Sequence, residues 1–182
     1  MKESLERTVK EIKAINDITL KNEIVVFGSS YMKNFPFYEL VNKCKLENAV
    51  YNRSIEDLTL YDALEVLQDC VLDIHPSKVF LCFGEKEYEN LKSVDIYKEI
   101  VCKIRKTLPK TKIYLIELPE EKLNVFNEKV RAICDNKNVV SIKLTARNTT
   151  AVGVYKEQFK QLSCFFRDKL ITLTEIFAVA SL

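Results

Sequence analysis

Two serine hydroxyls, Ser29 and Ser30, follow Gly28 at the end of the apolar run Ile24-Val25-Val26-Phe27. A short β-branched run closed by glycine predicts a strand buried on both faces, as in a parallel sheet. Gly28 allows a tight turn at the strand's carboxyl end, where open α/β sheets place their ligands. A serine hydroxyl at neutral pH is a weak nucleophile and needs a base within hydrogen-bond reach. Lys86, Glu87, Asp57 and Glu117 each follow a predicted strand and are the polar groups placed to converge on Ser30. The one histidine, His75, precedes the third predicted strand, at the opposite end of the sheet from Ser30. A strand of five or six residues spans about 17–20 Å, beyond the reach of an imidazole.

A Ser30–Lys86 dyad would require Lys86 to lose its proton through burial. Its neighbours Glu85 and Glu87 favour the charged form instead. Tyr31, Phe35, Phe37 and Tyr38 either line an acyl pocket beside Ser30 or pack a short helix onto the sheet. Gly28-Ser29-Ser30 lacks the Gly-Lys-Ser/Thr sequence of a phosphate loop.

Positioning these groups calls for alternating strands and helices. Apolar residues at helical spacing predict helices over 3–16, 35–44, 58–73, 93–108, 121–136 and 155–170. Strands are predicted over 23–28, 49–51, 78–83, 112–116 and 139–144, with a polar loop over 145–153. Pro36 is placed in the first turn of the second helix. The alternation predicts a three-layer α/β/α sandwich with a five-stranded, mainly parallel sheet. Right-handed crossovers make the flavodoxin-like order 2-1-3-4-5 the natural one. Residues 1–182 are expected to form one domain, with an N-terminal helical segment over 1–20. The apolar tail over 171–182 is expected to dock as a terminal helix or to form a homodimer contact.

Composition narrows the partners. Lys+Arg 28 against Asp+Glu 26 leaves a net charge of +2, which gives no support for nucleic acid or an anionic membrane. No apolar run approaches the roughly 20 residues of a spanning helix, and the charged start MKESLERTVKEIK lacks a signal-peptide core. A cytoplasmic location is expected. The six cysteines (Cys44, Cys70, Cys82, Cys102, Cys134, Cys164) are dispersed without a Cys-x-x-Cys pair. Five are placed in helices and Cys82 in a strand, as reduced and mostly buried thiols, with no metal site and no cofactor expected.

Over most of residues 22–170 the chain resembles the SGNH (GDSL-type) hydrolase family. Gly28-Ser29-Ser30 is similar to the family's Gly-Asp-Ser, with Ser30 in the nucleophile's place. Asn52-Arg53-Ser54-Ile55-Glu56-Asp57 resembles the second motif, Asn-x-Gly/Ser-Ile-x-Gly, so the Asp57 backbone N–H stands where an oxyanion-hole glycine belongs. Gly84-Glu85-Lys86-Glu87 resembles Gly-x-Asn-Asp, with Lys86 in place of the asparagine donor. FNEKVRAICDNKNVVSIKL resembles the penultimate helix and last strand. The resemblance implies the α/β/α fold, ester hydrolysis and a small ester or acyl ligand. The fourth motif, Asp-x-x-His, belongs within 145–150, and that segment contains neither residue. The implied reading is a hydrolase-like protein with a degenerate site, weakly active or inactive. The alternative is a non-catalytic ligand-binding or association module on the same fold.

Overall fold

A computed structural model describes residues 3–42, 46 and 48–167. Helix α1 (Glu3–Ile15) leads through a 3-10 turn (Asn16–Ile18) to strand β1 (Ile24–Gly28). Two short helices follow, α2 (Ser30–Lys33) and α3 (Phe37–Val41), and then β2 (Val50–Asn52) and α4 (Leu60–Cys70). The remaining elements are β3 (Lys78–Cys82), α5 (Ser93–Thr107), β4 (Lys112–Glu117), α6 (Asn124–Arg131), β5 (Val139–Lys143) and α7 (Ala151–Phe166). All neighbouring strands are parallel, in the order β2-β1-β3-β4-β5, the expected one.

Strand alternation divides the apolar residues between two faces. Val25, Phe27, Val79, Leu81, Ile113 and Leu115 meet α1, α4, α5 and α6 through Val9, Leu67, Ile100 and Val130. Ile24, Val26, Phe80, Tyr114 and Ile116 meet α2, α3 and α7 through Met32, Phe37, Leu162 and Phe166. Both faces are covered, so β1 and β3 are buried along their whole length. Gly28 is required where β1 meets β3, because a Cβ there would lie 2.4 Å from the Cys82 carbonyl oxygen.

Helix ends are fixed by side chains. Thr59 caps α4 by accepting from the Asp62 N–H at 3.2 Å, and Thr150 caps α7 by accepting from the Gly153 N–H at 3.2 Å. At the other end of α7, buried Lys78 donates to the carbonyls of Phe165, Phe166 and Arg167 at 3.0, 3.0 and 3.1 Å. A cation there satisfies carbonyls that the helix leaves unpaired.

Several boundaries differ from the sequence expectation. Within the predicted helix over 35–44 the described residues form α3, with Pro36 just before it, and the Ser30–Lys33 turn is a separate helix. The last helix begins at Ala151, because the Thr150 cap starts it four residues earlier than the apolar spacing suggests. Helix α6 stops at Arg131, and Asp135 then accepts from the N–H groups of Lys137, Asn138 and Val139 at 2.9, 2.7 and 2.8 Å. Cys134 consequently lies outside a helix. Cys70 and Cys82 are buried, but Cys102 is exposed and Cys134 and Cys164 are half-buried, so the thiols are not mostly buried. Cys44 and the apolar tail over 171–182 lie outside the described residues. Among the described residues no helix is long and apolar enough to cross a membrane.

Candidate active site

Ser30 opens α2 directly after β1, at the carboxyl end of the sheet. Its Oγ accepts a hydrogen bond from the Asp57 N–H at 3.0 Å, which brings the second motif against the first. Asp57 has φ 56°, the left-handed conformation that glycine adopts without cost and that aspartate tolerates better than most residues. The substitution therefore keeps both the turn and the N–H direction. What it adds is a carboxylate, which holds Lys86 Nζ at 2.6 Å from its Oδ1.

That ion pair sets the electrostatics of Lys86. The hydrogen bond and charge of Asp57 raise its pKa, and Glu85 and Glu56 act in the same direction. Lys86 is half exposed and fully protonated at neutral pH, the reverse of what a base beside Ser30 needs. A Ser30–Lys86 dyad would need that proton removed, and the ion pair opposes the loss.

The neighbouring carboxylates hold loops. Glu87 Oε1 accepts from the Leu60 N–H at 2.8 Å, at the start of α4. Burial raises the Glu87 pKa, against the pull of backbone N–H bonds from Leu60, Lys86 and Gly84. Glu85, beside Lys86 in the chain, meets the residue after Ser30. Both of its oxygens accept from the Tyr31 N–H, at 3.0 and 3.1 Å, so it caps the turn that carries Ser30. Burial raises its pKa, and the charges of Glu120, Glu87 and Glu56 add to the rise. An acidic side chain three residues after a strand, facing a helix start, was the available signal.

Ser29 is 1% exposed, and its Oγ has no hydrogen-bond partner among the described residues. Its N–H donates to the Cys82 carbonyl at 3.3 Å. The Tyr31 hydroxyl donates to Gln158 Oε1, and burial pushes the Tyr31 pKa up. Phe35 packs against Phe37 and Tyr155 with ring centroids 4.6 and 5.1 Å apart, and Tyr38 is 68% exposed. Tyr31, Phe35 and Phe37 seat α2 and α3 on α7, and Tyr38 takes no part in that packing.

Glu117 does not face Ser30. It ends β4 and receives Arg131 Nε at 3.0 Å and Nη2 at 2.7 Å, together with the Ser141 hydroxyl. Burial alone would raise its pKa, but Arg131 and Ser141 lower it below the usual carboxylate range. His75 sits at φ 47° before β3, its Nδ1 3.1 Å from the Asp73 carbonyl and its own carbonyl bonded by the Asn22 N–H. Both contacts lie at the amino end of the sheet. The loop over 145–150 is fastened to α7: Glu157 accepts from the Arg147 N–H at 2.7 Å, and Gln161 accepts from the Thr145 N–H at 3.0 Å. Among the described residues no group of three histidine, cysteine, aspartate or glutamate side chains is placed to hold a metal ion.

No protein-family model and no curated protein matches the sequence. Solved structures do match in shape. One, assigned as a platelet activating factor from Streptococcus pneumonia, has a TM-score of 0.74 at 18% identity, covering 89% of this chain and 92% of its own. A GDSL-like lipase from Bacteroides thetaiotaomicron gives 0.67 at 14% identity, over 86% and 93% of the two chains. A protein assigned as an acylhydrolase from Bacteroides fragilis gives 0.67 at 12%, over 87% and 97%. With the strand order and the flanking helices, these likenesses establish an SGNH hydrolase-like fold for this chain.

Proposed function

We propose that this is an ester-hydrolase-like protein with a degenerate active site, which holds a small ester or acyl ligand without hydrolysing it efficiently. One observation carries the reading: among the described residues, the hydrogen bond to Ser30 Oγ comes from the Asp57 N–H, and no base shares it. The chain's one histidine is at the far end of the sheet. Removal of a triad member from a serine hydrolase leaves only about 10³–10⁴-fold catalysis over water. Here the oxyanion hole is compromised as well. Lys86 is tied to Asp57, and the Glu85 carboxylate caps the Ser30 turn where negative charge would develop. A carboxylate at that position repels an oxyanion that a catalytic site must stabilise. Five free cysteines among the described residues fit a reducing, cytoplasmic setting.

Short p-nitrophenyl esters test the reading. The wild-type protein and Ser30→Ala are expected to hydrolyse them at the same rate, close to that of buffer. A rate about tenfold or more above buffer that Ser30→Ala abolishes overturns the proposal, because an activated nucleophile contributes at least that much.

A further inference from the structure

We propose that the groove along the outer edge of β2 binds an amphiphilic monocarboxylate of the free fatty acid class. The groove has a volume of about 740 Å³, within the usual range for small-molecule sites. Its apolar wall includes Ile12, Ile15, Ile18, Tyr38, Val41 and Val50. Ile15 is 46% exposed, Ile18 83% and Tyr38 68%, so a large apolar surface is left open at the sheet edge.

The polar part of the wall selects an anion. Arg53 lines the groove yet is only 4% exposed. Its Nη2 donates to Thr19 Oγ1 at 3.0 Å, and its Nε has no partner. The Tyr51 ring lies 5.8 Å from the guanidinium carbon, but no carboxylate among the described residues pairs with it. A buried guanidinium without an anion is costly, and burial accordingly lowers the Arg53 pKa. Ser54, also in the wall, has a buried hydroxyl without a partner. The other charged lining groups are Lys33 and Glu11, and Glu11 is paired with Arg7 at 3.2 Å. A carboxylate is the planar anion that matches a guanidinium's paired donors. An apolar chain attached to it covers the isoleucines.

This site is separate from the Ser30 turn. Ser30, Asp57, Glu85 and Lys86 do not line the groove. The carboxylates around Ser30 would repel the same ligand. The inference stands whether or not Ser30 is catalytic.

Calorimetric titration with decanoate, kept below its micelle concentration, tests the assignment, with 1-decanol as the uncharged control. Saturable one-to-one binding of decanoate is expected, with 1-decanol weaker by about tenfold or more, the worth of a charge-assisted pair. Arg53→Met keeps the apolar stem and removes an unpaired buried charge, a change that folds tolerate well. It is expected to weaken decanoate by about tenfold. Ile18→Glu, at an exposed position, places a carboxylate at the mouth of the groove and should weaken it similarly. Absence of saturable binding, equal affinity for decanol, or wild-type affinity in Ile18→Glu overturns the proposal. So does light scattering that shows a dimer dissociated by Ile18→Glu, which would make a second copy the occupant.

Discussion

Two corners at the carboxyl end of the sheet handle their carboxylates in opposite ways. At the ends of β1 and β3, Glu85 and Glu87 accept backbone N–H groups of Tyr31 and Leu60, and burial pushes both pKa values up. At the ends of β4 and β5, Glu117 is gripped by the Arg131 fork and the Ser141 hydroxyl, and its pKa is held down. The residue type and the place in the strand-to-helix connection are alike. The difference is a cation. At the Ser30 corner, Lys86 pairs with Asp57, and no salt bridge to Glu85 or Glu87 is found among the described residues. The Ser30 corner thus has acids that fasten loops, while at the other corner one carboxylate is shared by Arg131 and the Ser141 hydroxyl.

The sharpest break of that contrast is removal of the guanidinium. Arg131 is half exposed, but the carboxylate it serves is 2% exposed. Arg131→Ala leaves Glu117 with Ser141 alone and is expected to cost about 2 kcal/mol in urea unfolding at neutral pH. The folded pKa of Glu117 lies below its unfolded value. Its contribution is therefore complete above the ordinary glutamate range and is lost as pH falls through the depressed value. The gap between Arg131→Ala and wild type should narrow as the pH drops below about 4. A constant gap across that range would show that packing of the arginine stem, not charge, stabilises the corner.

The same contrast explains what was legible in the sequence. Runs such as Ile24–Gly28 and Lys78–Cys82 are apolar throughout because both faces of the sheet are covered, so the strands and their order could be read directly. The place of Ser30 followed from Gly28, whose hydrogen is all that fits against the Cys82 carbonyl. Which acids approach Ser30 could not be read. Glu85 and Glu117 both follow strands, and their partners, Tyr31 and Arg131, are set by the packing of α2 and α6. The Thr150 cap was hidden because caps are polar and look like loop, which moved the start of α7. Arg53 looked like one position of a motif; its burial without an anion is a tertiary fact.

Glu85→Gln tests the other side of the comparison with a smaller effect. The amide oxygen can still accept from Tyr31, and the half-buried site lets its NH₂ reach water. Since the folded pKa of Glu85 is raised, the ionised carboxylate burdens the fold once pH exceeds the unfolded value, and not below it. Thermal unfolding should show Glu85→Gln at least as stable as wild type at neutral pH, within about 1 kcal/mol, and should show that advantage vanishing near pH 4. A loss of stability at neutral pH that persists in acid would mean that the second N–H contact matters more than the charge.

Lys86→Asn should change stability least, and it probes catalysis most directly. The Lys86–Asp57 pair is exposed at both ends, 48% and 62%, so solvent screens it and it adds little to stability. The substitution introduces an amide where the resemblance to the SGNH pattern expects one. In a working hydrolase one oxyanion donor is worth about 10²–10³ in rate. Donors act on charge that a base first helps to create, and on the proposed reading no base takes the Ser30 proton. Ester hydrolysis by Lys86→Asn should therefore stay at the wild-type level. A rise of about a hundredfold would mean that a base does reach Ser30, and that the oxyanion hole alone had been holding the site silent.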